Sequence, residues 1–394
     1  MLEVGSSGGG DMDTRSDSDG CCGCNGGIEE SPPPQAIPAT NYDDSPFISI
    51  WETTQACNLA CRHCRASAQP NPLPGELTTD EGKKLIKDIK DMGCSIVVLS
   101  GGDPLKRQDL LELLRYGKSI GLRMATIPAA TELLTRKVIE NLKETKIDQV
   151  AFSLDFPTSE LHDGFRRAQG TFDKTMEAVG WARECNLPVQ INTTITAQSL
   201  PYLQQMGELI DTLGIVFWEV FFLVPTGRGK DLSSLTADQC EEAFELLDKI
   251  HRRSSFILKV TEAPHYRRFA AQKEGKAVEL PEHLRRSEAP QKTIGLARHA
   301  VNSGKGFMFV SYKGDVFPSG FLPIHAGNIR QQGVADIYRN SKVFRELRDA
   351  SLLLGKCGRC EFREICGGSR SRAYALTHNH LASDPWCSYQ PGSL

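Results

Sequence analysis

Between residue 46 and about residue 225 the chain alternates short apolar runs with longer segments of helical period. The runs fall at 47–53, 95–100, 122–127, 148–154, 188–195 and 215–223, and the helical segments at 78–92, 107–120, 135–144, 171–185 and 198–212. Few folds accept this pattern. Alternating strands and helices build a parallel sheet with the helices outside it. Thr78-Thr79-Asp80-Glu81 supplies side chains that can satisfy the free N–H groups at the start of the first helix. The reading is an α/β fold, with any active site at the C-terminal ends of the strands.

Two motifs sit at such ends. Cys57, Cys61 and Cys64 follow the first run with the spacing Cys-x3-Cys-x2-Cys. Zinc and iron–sulfur clusters usually take four thiolates. Three on one short loop suggest a cubane cluster with one iron left open for a small molecule. A zinc site with a distant fourth ligand, or three ordinary thiols, are the alternatives. The second motif, Gly101-Gly102-Asp103-Pro104, ends the apolar run 95–100. Glycines at a strand end let backbone groups approach a ligand closely. Alone, such a turn is a weak signal; its value lies in following the cysteine loop by one helix and one strand.

In that order the two motifs resemble the radical S-adenosylmethionine (SAM) superfamily, and the resemblance extends over about residues 46–394. It implies a partial (β/α)6 barrel. It implies a [4Fe–4S] cluster on Cys57, Cys61 and Cys64 whose open iron is chelated by the amino and carboxylate groups of SAM. It also implies SAM contacts from Gly101, Gly102, Asp103 and Pro104, with Asp103 accepting from the ammonium. By the same resemblance Ser153, at the end of the fourth run, would contact the ribose or methionine part. Arg166 would pair with the SAM carboxylate, and Asn192 would meet the ribose. Capping or loop hydrogen bonds are the plain alternative for each. Glu219 and Pro225-Thr226-Gly227-Arg228-Gly229 would stand at the barrel rim, near substrate or adenine. His63 and Asp103 stand where the family often has an aromatic residue and Glu.

A second metal signal lies near the C-terminus: Cys357-x2-Cys360-x5-Cys366, then Cys387. Four thiolates suit tetrahedral zinc or a closed cluster. Downstream of a radical SAM core the pattern resembles the SPASM extension, which implies an auxiliary [4Fe–4S] cluster on these four residues. A first auxiliary cluster does not map, because Ser319, Ser369 and Arg370 stand where its cysteines would be. One auxiliary cluster is therefore expected. Cys94, Cys185 and Cys240 read as small buried residues.

The expected domains are a disordered tail at 1–45, poor in large apolar residues and carrying Cys21-Cys22-Gly23-Cys24, then the barrel at 46–225. A connecting region at 226–305 and a SPASM-like domain at 306–394, opened by a hairpin, complete the chain. Between 265 and 298 stand eight Lys or Arg against four Asp or Glu. They make either a solvated helix face or a cradle for carboxylates, with Arg267, Arg268, Arg285 and Arg286 as the cations.

A net charge of -3 gives no sign of generic nucleic-acid binding. No 18-residue apolar stretch suggests a membrane span, and no signal sequence is evident. Thirteen cysteines without a leader suggest metal ligation in a reducing, cytoplasmic setting. The C-terminal motifs look most like the heme-biosynthesis branch of SPASM enzymes. That resemblance implies a tetrapyrrole propionate as substrate and an external electron donor such as ferredoxin or flavodoxin. The alternatives are a maturase acting on a ribosomally made peptide, and a non-catalytic iron–sulfur electron carrier.

Overall fold

The protein is described here by a computed structural model covering residues 41–275 and 300–392. Cys21, Cys22 and Cys24, nearly all of the expected tail, and Arg285 and Arg286 lie outside the described residues.

Six strands follow the expected runs: β1 (Ile48–Glu52), β2 (Ile96–Ser100), β3 (Arg123–Thr126), β4 (Gln149–Ser153), β5 (Val189–Ile195) and β6 (Phe217–Phe222). They pair in chain order and all in parallel. The helices between and after them are α1 (Thr79–Met92), α2 (Leu110–Ser119), α3 (Arg136–Glu144), α4 (Ser159–Arg166), α5 (Thr171–Glu184), α6 (Leu203–Thr212) and α7 (Ala237–His251). The α/β fold with a parallel sheet is thus as the sequence implies.

The sheet continues beyond those six strands. β7 (Ile257–Thr261) adds parallel to β6, and β8 (Phe307–Val310) adds parallel to β1. β9 (Asp315–Phe317) and β10 (Gly327–Asn328) then extend the sheet antiparallel. The expected hairpin is therefore β8–β9, and its first strand belongs to the same sheet as the SAM-type motifs. After β7 comes α8 (His265–Lys273); after β10 come α9 (Val334–Asn340), α10 (Lys342–Arg348), α11 (Gly355–Arg359) and α12 (Arg370–Thr377).

Local chemistry explains the ends of α1. Thr78 accepts from the Glu81 N–H at 3.3 Å while Glu81 accepts from the Thr78 N–H at 2.8 Å, a reciprocal cap. Gly93 closes the helix in the left-handed region at φ 101°. Gly82 lets the helix approach β1, since a Cβ there would stand 2.5 Å from the Trp51 ring. The core lies between strands and helices: Trp51, Leu85, Leu99, Leu113, Phe152 and Trp218 are almost wholly buried. Strands covered on both faces read as nearly continuous apolar runs, which made them legible.

Candidate active site and cluster-binding residues

β1 delivers the chain into the cysteine loop. The loop is closed at its neck, where Cys57 N–H donates to the Gln69 carbonyl at 2.7 Å and Gln69 N–H to that of Gln55 at 3.0 Å. Across the barrel, Arg228 clamps it. Its side chain donates to the Cys61 and Ala68 carbonyls at 2.9 and 3.2 Å, and its backbone N–H to the Cys64 carbonyl at 3.0 Å. Arg228, expected at the rim for substrate or adenine, is spent on holding the loop. A guanidinium presents several donors in a fixed fork, which suits it to grip two carbonyls at once.

Each loop sulfur meets an N–H donor. Leu59 N–H points to Cys57 Sγ at 3.3 Å, Ala68 N–H to Cys64 Sγ at 3.4 Å, and Arg166 Nη1 to Cys61 Sγ at 3.6 Å. Burial pushes the Cys57 thiol up to about 12, and raises Cys61 as well. A bare thiol here stays protonated, so a thiolate needs a strong positive partner, which iron provides. Donors aimed at the sulfurs and a buried, charge-hungry loop fit an iron–sulfur cluster. Among the described residues no three His, Cys, Asp or Glu side chains converge as tightly as one metal ion would need. A cluster gives each thiolate its own iron, so a more open set of sulfurs suits it.

The Gly101–Pro104 turn is pressed against this loop. Gly102 N–H donates to the Thr54 carbonyl and Asp103 N–H to that of Ala56, both at 2.7 Å. A Cβ on Gly101 would lie 2.6 Å from the Thr54 carbonyl oxygen, and one on Gly102 2.5 Å from that of Ala56. Both glycines are therefore demanded by the approach of two backbones. Pro104 opens a short 3-10 turn. Asp103 is wholly buried. It accepts from the N–H groups of Leu105 and Ala129 at 3.1 and 3.3 Å, and from the Thr131 hydroxyl at 3.0 Å. The short carboxylate is turned into the protein, where it ties the turn to the segment after β3.

At the end of β4, Ser153 is half-buried. Asp155 is fully buried and takes the Arg166 guanidinium through Nε at 2.7 Å and Nη2 at 2.6 Å. It also accepts from the Thr194 N–H at 2.8 Å. Arg166 thus reaches the site, but two of its three nitrogens already serve Asp155. The Arg166 charge holds the Asp155 carboxyl below the usual range despite burial. His162 accepts from the Asp155 N–H through Nδ1 at 3.1 Å. His63 stacks on Phe165, centroids 4.6 Å apart.

Strand register collects polar side chains into one row: Ser153 pairs with Asn192, Asn192 with Glu219, and Glu219 with Lys259. Glu219 binds Lys259 at 2.8 Å, Thr261 at 2.6 Å and Gln190 at 2.9 Å, and Gln190 donates to Asn192 at 2.7 Å. On the opposite flank Arg65 pairs with Glu52 at 2.5 Å and lies over the Phe309 ring at 4.6 Å.

The four C-terminal cysteines line one pocket, with His265, Arg268 and Lys356. Cys357 Sγ faces the Asp384 N–H at 3.3 Å and Arg370 Nη2 at 3.8 Å; Cys366 Sγ faces the Gly368 N–H at 3.3 Å. Burial raises Cys366 and pushes Cys387 up to about 11, so the same argument for metal applies. Beside this cavity the expectation of missing cysteines gains a structural meaning. Ser319, Ser369 and Ser371 all turn their hydroxyls to the buried carboxylate of Glu262, at 3.4, 2.6 and 3.0 Å. Glu262 follows β7 in the left-handed region, φ 61°.

In the described part of the basic stretch, Arg267 and Arg268 turn to protein partners. Arg267 is spent on the carbonyls of Ile365 and Val301, at 3.1 and 2.6 Å. Arg268 pairs with Glu241, donates to Gln272, and lies over the Tyr389 ring beside the cysteine cavity. α8 buries these guanidiniums between barrel and extension, so their hydrogen bonds go to the protein.

Comparison with known proteins agrees with this geometry. Residues 51–204 match the Radical SAM superfamily, and residues 302–361 an iron–sulfur cluster-binding domain, SPASM. An AdoMet-dependent heme synthase of Methanosarcina barkeri is 40% identical over 352 residues, 89% of this chain and 98% of the relative. This chain belongs to the radical SAM superfamily. Another relative, an AdoMet-dependent heme synthase of Oleidesulfovibrio alaskensis, is 38% identical over 90% of this chain and 91% of its own length. Streptococcus suis SuiB bound to S-adenosylmethionine has the same fold, with TM-score 0.68, 17% identity, and coverage of 88% of this chain and 78% of that one.

As a radical SAM enzyme with a SPASM extension, the protein uses SAM and [4Fe–4S] clusters, an auxiliary cluster included. Arg228 was seen, but its partners are about 160 residues away in the chain. Glu262 and His265 read from the sequence as facing either the barrel cavity or solvent; the structure sets Glu262 among Ser319, Ser369 and Ser371, and His265 beside the C-terminal cysteines. No helix among the described residues is long and apolar enough to cross a membrane.

Proposed function

We propose that the protein is a radical SAM enzyme acting on an iron tetrapyrrole, removing or decarboxylating propionate side chains. The single observation that carries the substrate class is the kinship with AdoMet-dependent heme synthases, near 40% identity over about nine-tenths of the chain. Cys57, Cys61 and Cys64 hold the SAM-binding cluster, and Cys357, Cys360, Cys366 and Cys387 the auxiliary one. When bound, the first cluster and SAM supply a 5′-deoxyadenosyl radical able to take a hydrogen atom from a propionate.

The chain's own residues do the rest. The Gly101–Pro104 turn offers backbone groups beside the cysteine loop, and Ser153 and Asn192 offer polar contacts to SAM from β4 and β5. Arg166 acts on the cluster side of the pocket, through Nη1 and Cys61, because Asp155 takes its other nitrogens. Arg65 and Lys259 are the cations best placed for substrate carboxylates. Each is held by a glutamate it can exchange for a propionate. Packed strands and helices exclude water from a reactive radical. An external donor such as a ferredoxin or flavodoxin supplies electrons, and the cytoplasm is the setting.

The test is anaerobic incubation of the reconstituted protein with SAM, dithionite and iron coproporphyrin, followed by mass spectrometry. Loss of carbon dioxide units from the porphyrin with release of 5′-deoxyadenosine supports the proposal. SAM cleavage without porphyrin change, and with modification of a supplied precursor peptide, moves the substrate to peptides. No SAM cleavage at all leaves an electron carrier.

A further inference from the structure

His265 opens α8 and is fully buried. It lines the same cavity as Cys357, Cys360, Cys366 and Cys387. Neither of its ring nitrogens has a hydrogen-bond partner among the described residues. The nearest carboxylate oxygen, Asp384 Oδ2, is 3.7 Å from Nδ1, too far for a hydrogen bond. The Asp384 oxygens are engaged elsewhere, by the N–H groups of Ser369 at 2.8 Å and Trp386 at 3.0 Å. Phe244 meets the ring edge-on, centroids 4.8 Å apart. A buried ring N–H without an acceptor is costly. The group that can satisfy it is the one the cavity is shaped to hold.

We propose that His265 donates a ring N–H to a sulfur of the auxiliary cluster and so raises that cluster's reduction potential. The proposal rests on the reading that the four C-terminal cysteines hold that cluster. Hydrogen bonds to cluster sulfurs are among the terms that set the potential. Reduction adds negative charge, so a donor stabilises the reduced cluster more than the oxidised one. The protein already aims donors at two of the thiolates, from Asp384 N–H and Arg370 at Cys357 and from Gly368 N–H at Cys366. His265 adds a donor from α8, an element outside the cysteine segment. His265 acts on the cluster and touches no substrate.

The experiment is an EPR-monitored redox titration of the fully reconstituted chain, without SAM or substrate, on wild type, His265→Phe and His265→Gln. Phe keeps the ring's bulk and removes the donor; Gln keeps an N–H. We expect His265→Phe to shift the auxiliary midpoint negative by about 59 mV or more, a tenfold change in a one-electron equilibrium. Gln should stay near wild type, and the Cys57/Cys61/Cys64 cluster should not move. Equal potentials in all three proteins, or equal shifts in both variants, would overturn the proposal. If the Phe variant does not load, His265→Leu takes its place as the variant without a donor: a negative shift in Leu with Gln near wild type supports the hydrogen bond, and equal potentials in Leu, Gln and wild type overturn it. Iron content separates the two layers of inference. Wild type holding only about four irons would remove the auxiliary cluster itself, and the proposal with it.

Discussion

At the residue scale, the close approach of two backbones is what joins the two motifs. Gly102 has no room for a side chain, because a Cβ would sit 2.5 and 2.8 Å from the carbonyl oxygens of Ala56 and Gln55. Gly102→Ala must push the entrance of the cysteine loop aside. We expect its iron content to fall from about eight to about four, with the auxiliary EPR signal retained. Gly164→Ala, where nothing lies within 4 Å, is the control and should load fully. His162 gives a pH signature. Its Nδ1 accepts from the Asp155 N–H, which requires a neutral ring, and burial is the main reason its pKa falls to about 4. The unfolded chain then binds the proton more readily. Stability is present above pH 6.5, falls as the pH drops below that value, and levels off near pH 4. The expected loss between pH 7 and 5 is about 2 kcal/mol. Urea midpoints of wild type and His162→Gln check it, the variant showing the shallower slope.

At the scale of elements, register does what no single residue can. The parallel pairing of β4 through β7 sets Ser153, Asn192, Glu219 and Lys259 at one level of the barrel. Lys259 is partly exposed and bound to Glu219. Lys259→Met should weaken Soret-titrated binding of an iron porphyrin bearing propionates and reduce the salt sensitivity of that binding. The loss should be about 1.5–3 kcal/mol, the scale of a hydrogen bond to a charged group. Unchanged affinity would shift the substrate cations elsewhere. The short helices behave differently from the long ones. α4 has only eight residues and α9 to α12 no more than that. Isolated helices so short are unstable, so packing creates them. That is why the helical segments read from the sequence leave out Ser159–Arg166, which is helical. α1, with a complete capping box, was legible from its first residues.

At the scale of the molecule, barrel and extension share one sheet and one buried tie. β8 pairs with β1, while Glu262, just past β7, gathers hydroxyls from Ser319, Ser369 and Ser371. Arg372 adds a bond to the Glu262 carbonyl at 3.2 Å. Glu262→Ala would leave three hydroxyls without their acceptor. We expect destabilisation of about 3 kcal/mol, read from urea unfolding, and loss of auxiliary-cluster iron before that of the Cys57 loop. A variant with wild-type stability and full iron would show that the tie is dispensable.

What the sequence determined by itself is what neighbouring residues encode. Strand and helix periods, helix caps, and the spacings of Cys57, Cys61 and Cys64 and of Gly101 to Pro104 are local, and they sufficed for the α/β fold and the radical SAM family. Ser319 and Ser369 could be read as absent cysteines, but not as partners. Only the tertiary structure brings them to Glu262, spends Arg228 on the Cys61 carbonyl and Arg267 on those of Ile365 and Val301, and turns Asp103 inward. The physical reason is that a buried polar side chain must find a partner wherever the fold supplies one. Which donor meets which acceptor is decided by strand pairing and packing between residues far apart in the chain, and no local pattern records it.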